Sequence, residues 1–191
     1  MRACPTQQTY MNALHSFDFG WVDLKQGQLD SAKARLKELE SLLPKVSSDN
    51  QEFTTLLYRL LEAELLLADN SPEKAIEAGE KIVPVKFPNM TTPSLTLYNI
   101  PFLKDVLARA YWKTGDLDKA ILEYVRLTTV DPNSQVRYLI HPLYHYRLGC
   151  VYEEKGEKAK AAAEYRKFLE YWKDADATHP ELADARNRLG N

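Results

Sequence analysis

ARAYWKTGDLDKAILEY at 108–124 and GCVYEEKGEKAKAAAEY at 149–165 carry one pattern. In each, a small residue (Ala108, Gly149) is followed by Tyr (Tyr111, Tyr152), Gly (Gly115, Gly156), Ala (Ala120, Ala161) and a second Tyr (Tyr124, Tyr165) at identical spacings. Two further copies are degraded: Gly20, Asp23, Gly27, Ala32 and Leu36, then Ala63, Leu66, Asn70, Ala75 and Gly79. A recurring register of this length is the mark of a repeat architecture, and it decides the fold before any single helix is considered.

The pattern describes a pair of antiparallel helices. Small residues on the first helix and the aligned Ala on the second let the two backbones approach closely, and the tyrosines fill the space beside that contact. Gly or Asn in the turn supplies a left-handed conformation that ends the first helix. Pro44 and Pro132, twelve residues after their alanines, close the second helix, because proline lacks the amide hydrogen and clashes with the preceding turn. The second helices show helical periodicity, as in Leu29, Ala32, Leu36, Leu39 and Leu43, or Ala161, Tyr165, Phe168, Leu169 and Trp172. Pro101 and Pro142 each lie nineteen residues before their Ala and read as first-turn prolines.

Small–x2–Tyr–x3–Gly–x4–Ala–x3–Tyr resembles the tetratricopeptide repeat. The resemblance implies an all-α fold, a right-handed α-solenoid of about four helical hairpins closed by a C-terminal capping helix. The expected organisation is one array over 1–191, with repeats at about 11–45, 52–88, 101–132 and 142–175 and a cap at 179–190. Asp23 and Gly79 stand where an aromatic is usual. The alanines are 43, 45 and 41 residues apart, against about 34 for the usual repeat. The extra length falls in Val83–Pro101 and Asp131–His141, which read as loops, with Val83–Ser94 mostly irregular. Residues 146–189 also resemble the repeat tail of large bacterial signalling proteins, in which such repeats follow kinase, cyclase or transcription-regulator domains. That second likeness makes a C-terminal fragment of a longer chain one expectation.

Composition sets the outer limits. The chain has 191 residues, 45% of them hydrophobic and 27% charged, with a net charge of −2. No basic footprint points to nucleic acid, and no polybasic run points to a lipid surface. Apolar stretches such as Leu65–Ala68 are too short to cross a bilayer. The two cysteines, Cys4 and Cys150, have no metal or disulfide spacing and read as reduced thiols, so the expected compartment is the cytoplasm.

Catalytic and metal chemistry find no constellation. His141 and His145 are four apart, but His141 precedes Pro142, and a metal site needs three or four converging ligands. They read as packing or surface histidines. Cys150 lies five residues from His145, off the spacing at which helical neighbours meet. Glu153 and Glu154 read as a solvated face. No catalytic residue, metal or cofactor is expected.

The resemblance places certain first-helix positions on the inner surface of the array. These are Leu14, Phe17, Trp21 and Leu24; Leu57, Leu60, Glu64 and Leu67; Phe102, Asp105, Arg109 and Trp112; and Leu143, Tyr146, Cys150 and Glu153. The set is apolar for a water-facing surface, and Trp, Tyr and Arg often dominate interfaces. The alternative at each position is packing against a neighbouring repeat or a loop. Family members that clamp a terminal carboxylate use Lys, Arg and Asn here, where this chain has Phe17, Trp21, Leu61, Phe102 and Val106, so that ligand class is not expected. The expected function is a non-catalytic scaffold that binds a peptide or helix of another protein in an apolar groove. The alternative is a structural face covered by another domain or by a second copy of the chain, as a homodimer.

Overall fold

The computed structural model describes residues 5–82, 105–129, 140–176 and 178–190. These residues are helical, with turns and no strand among them. Phe102, Pro101, Pro132 and the expected irregular stretch Val83–Ser94 lie outside them. The chain divides into two compact units, Met1–Thr91 and Thr92–Asn191.

The first unit contains α1 (Pro5–Lys25), α2 (Leu29–Leu42) with a 3-10 turn at Leu43–Lys45, α3 (Ser48–Ala68) and α4 (Pro72–Gly79). Helix α1 pairs with α2, α3 pairs with α4, and α3 lies against both α1 and α2. The first helix begins at Pro5, well before the expected start at 11. The second unit contains α5 (Val106–Lys113), α6 (Leu117–Thr128), α7 (Leu143–Glu154), α8 (Lys158–Tyr171) and α9 (Pro180–Arg188). There each helix packs on the next in chain order. His141 precedes α7, as its proline neighbour requires.

The four turns share one device. Gly27, Asn70, Gly115 and Gly156 have φ of 74°, 57°, 81° and 84°. At each, the turn residue's N–H reaches back three residues and the next N–H reaches back five. At Gly156 these bonds are 2.9 Å to the Glu153 carbonyl and 2.8 Å to the Tyr152 carbonyl. They satisfy carbonyls that the helix end would otherwise leave bare. Asn70 manages the left-handed conformation without being glycine because Asn tolerates it better than most L-residues.

The aligned small residues lie where the helices touch. Ala32, Ala63, Ala75, Ala108 and Ala120 are fully buried. A β-carbon on Gly149 would come within 2.5 Å of the Tyr165 ring, and one on Gly20 within 2.7 Å of Leu61 Cδ2 on α3. Tyr124 and Tyr165 are buried, as the pattern requires, whereas Tyr152 is only half-buried and lies beneath Lys160. The cap is an amphipathic helix whose Leu182 and Ala185 are buried with Phe168, Tyr165 and Ala161 of α8.

Two exposed ion pairs tie neighbouring hairpins along the turn edge. Lys33 of α2 bonds Asp69 in the α3–α4 turn, and Lys155 in the α7–α8 turn bonds Asp118 of α6.

Gly149→Ala is expected to lower unfolding free energy by about 1–3 kcal/mol, since the added methyl must push the aromatic ring of Tyr165 rather than a flexible chain end. Denaturant unfolding checks it. An unchanged midpoint would mean that the close approach of α7 and α8 can relax freely.

Candidate functional site

In the first unit, most of the expected groove residues turn inward. Phe17, Leu24, Leu60 and Glu64 are all less than a tenth exposed. Trp21 is half-buried, its ring stacked on Phe17 at 6.4 Å and covered on one side by the Lys25 ammonium at 4.4 Å. Phe17 and Leu24 lie on the side of α1 that carries Gly20, which both Leu61 of α3 and Arg35 of α2 approach.

The second unit places the expected residues on a charged framework. Asp105, just before α5, is fully buried. Its Oδ1 accepts from Arg109 Nε at 3.0 Å, while Oδ2 accepts from the Tyr124 hydroxyl at 3.3 Å and from the Arg147 guanidinium. Asp105 therefore faces its own chain and not solvent. The proximity of this carboxylate adds to burial in pushing the Tyr124 phenol well above its usual pKa. Burying a carboxylate is expensive unless charges and hydrogen bonds surround it, and here α5, α6 and α7 each supply one. Further along the same helices, Trp112 Nε1 donates to Glu154 Oε2 at 2.7 Å. Arg109, Trp112 and Arg147 remain half-buried; the two guanidiniums meet at Asp105, while Trp112 packs against the cluster that holds Cys150, Tyr165 and Phe168.

Tyr146, Cys150 and Glu153 on α7 meet the cap instead. Cys150 is buried with Tyr165, Phe168 and Leu182, and burial raises the pKa of its thiol. The Tyr146 hydroxyl donates to Asp184 Oδ2 at 2.7 Å, and the Tyr165 hydroxyl donates to Glu153 Oε2 at 2.8 Å. Arg188 bonds both Asp184 and Glu153. Glu153 and Glu154 are thus bonded side chains, because α9 and Trp112 reach them, and not the merely solvated pair expected from their charge.

His145 is buried, with Nδ1 2.6 Å from Glu164 Oε2 and its ring against Tyr171. His141 lies against Tyr144 and Trp172, and burial lowers its pKa. The two histidines therefore serve different neighbours. Among the described residues, no three His, Cys, Asp or Glu side chains converge as metal ligands would. No described helix is long and apolar enough to cross a membrane.

Arg147, the bonding role of Glu154, and the cap partners Asp184 and Arg188 were not read from sequence. A signal existed for the first two: Asp105 to Arg147 and Trp112 to Glu154 are both 42 residues apart, one more than the 41 separating Ala120 from Ala161. In a repeat chain, that offset places residues on adjacent first helices.

The cap contacts make stability acid-sensitive. The Tyr165 hydrogen bond, with help from Arg188, holds Glu153 below its usual pKa; burial pushes Asp184 up, but Tyr146 and Arg188 outweigh it and hold it down. Carboxylates depressed in the folded state stabilise fully above their unfolded pKa, and that stability is lost as pH falls through the folded value. Unfolding free energy should fall between about pH 5 and pH 2, and Glu153→Gln should flatten the drop. An unaltered acid slope in Glu153→Gln would count against a stabilising role for the cap contacts.

Residues 106–180 match the model of the tetratricopeptide repeat family, the stretch that contains α5 to α8. No curated protein matches the sequence. A solved structure, the crystal structure of MamA protein, is 19% identical with a TM-score of 0.54, over 94% of this chain and 83% of that one. Likeness at that identity shows the fold alone. With the described helices, it establishes an all-α helical-repeat fold of the α-solenoid class whose residues 106–180 are similar to tetratricopeptide repeats.

Proposed function

We propose that this chain is a non-catalytic protein-interaction scaffold, and that the α5–α7 face of its second unit grips a peptide or helix through Trp112, Arg109 and Arg147. Helical-repeat folds of this type suggest protein binding in general. The observation that carries the specific reading is the Asp105 framework. A fully buried carboxylate holds two guanidiniums in fixed positions while leaving each partly exposed, with side-chain accessibilities of 25% for Arg109 and 30% for Arg147. Trp112 is oriented by its own bond to Glu154 one turn further on. Aromatic and Arg side chains held in advance lose little entropy on binding, which is why they dominate interfaces.

The groove is accordingly mixed in character. Its apolar part is Trp112, and its polar part favours a ligand with an acidic or carbonyl-rich segment beside an apolar anchor. Tyr146, Cys150 and Glu153 support the cap in this reading, and Trp21 is a half-buried first-unit candidate.

Peptides selected for binding to the full chain provide the test. Trp112→Ala should weaken the selected peptides by about 2 kcal/mol or more in a titration. Its unfolding free energy should change less than that of Tyr124→Ala, which leaves a cavity beside the fully buried Ala108 and strips a donor from Asp105. If Trp112→Ala costs several kcal/mol of stability and spares affinity, Trp112 is a packing residue and the face is not the binding surface.

A further inference from the structure

Helix α1 exposes Met11, Phe19 and Val22, at 40%, 55% and 47%, with His15 and Asp18 between them on the same face. Single exposed apolar residues are ordinary on soluble proteins. These occupy one stripe, and the repeat register says what the stripe is. Counting back from the aligned alanine, Val22 corresponds to Leu65 on α3 and Val151 on α7, which are 3% and 0% exposed. His15 corresponds to Tyr58 and Tyr144, and Asp18 to Leu61 and Arg147.

In the later hairpins these positions touch the hairpin before. Leu61 closes over Gly20 of α1, the Tyr144 ring lies 6.4 Å from that of Tyr124 on α6, and Arg147 bonds Asp105 at the start of α5. The stripe on α1 is therefore the surface by which one hairpin lies on its predecessor. On α1 it is open.

Its charge says what would fit. At the position where Arg147 meets an acid, α1 presents the acid, Asp18, flanked by apolar side chains. Burial already raises the Asp18 pKa, with His15 partly offsetting it. A second copy laid antiparallel over the same stripe would set Asp18 opposite an imidazole, His15 of that copy, rather than the permanent cation that Arg147 supplies in the later hairpin.

We infer that the Met11–His15–Asp18–Phe19–Val22 face of α1 docks an α-helix of another polypeptide, apolar along its contact stripe and carrying an arginine or lysine opposite Asp18. This surface is separate from the α5–α7 face and does not depend on the function proposed for it.

Two labelled synthetic helices of about 18 residues, five turns, test it. Both carry a leucine stripe, one with a central Arg in it and the other with Glu, and each is titrated into the full chain by fluorescence anisotropy. The Arg peptide should bind about tenfold tighter than the Glu peptide, and Asp18→Arg should reverse the order. Phe19→Glu and Val22→Glu should abolish binding of the Arg peptide without changing the circular dichroism or melting temperature, and Trp112→Ala should leave it intact. Equal affinity for both peptides, a preference that Asp18→Arg does not reverse, or binding that survives Val22→Glu overturns the inference. A dimer in sedimentation equilibrium that Val22→Glu disperses overturns it too, by making a second copy the occupant.

Discussion

Everything in this protein depends on how closely two helix backbones can lie side by side. At Gly149 a methyl group would run into the Tyr165 ring and at Gly20 into the Leu61 side chain, and the aligned alanines of the second helices are buried to match. Close approach fixes the rotation of each helix, because only one face has nothing to obstruct it. The left-handed turn residues then fix the direction of return. Once rotation and direction are set, every other position on a hairpin has a defined neighbour, whether core, adjacent hairpin or solvent.

That geometry explains why charge occurs in the interior. Asp105 lies where successive first helices converge, and a small or apolar side chain would pack there at less desolvation cost. With Arg109, Arg147 and Tyr124 around it, the carboxylate joins three helices through directional bonds that an apolar contact cannot supply. Buried polar groups are at their best when they specify one arrangement out of several of similar energy. In a repeat chain the competing arrangements are shifts of register, and a bond confined to one junction discriminates against them.

The fold was legible because its determinants are local and periodic. Turn residues, small residues and aromatics recur at fixed spacings, and each has a steric reason to be where it is. Site residues were harder to place. Inner-surface positions came from the resemblance and were placed on first helices, yet Phe17, Leu24 and Leu60 are buried, since exposure depends on how far the next hairpin leans over. Asp105 read as a groove position because nothing within α5 reveals Arg147, 42 residues on. The partners of Tyr146 and Glu153 lie on the cap, whose packing angle no periodicity encodes. Single-helix patterns specify faces; which face is covered is a property of pairs.

The edge ion pairs have a consequence for how such a chain can evolve. At the first junction the helix donates Lys33 and the turn offers Asp69; at the later one the helix offers Asp118 and the turn donates Lys155. Exposed pairs like these contribute only about 0–1 kcal/mol each. Their signs are nonetheless opposite, so exchanging the second and fourth hairpins by recombination would set Asp118 against Asp69 and Lys33 against Lys155. The repeats are therefore non-interchangeable parts, with their order written in charge along one exposed edge as well as in the packing of each junction.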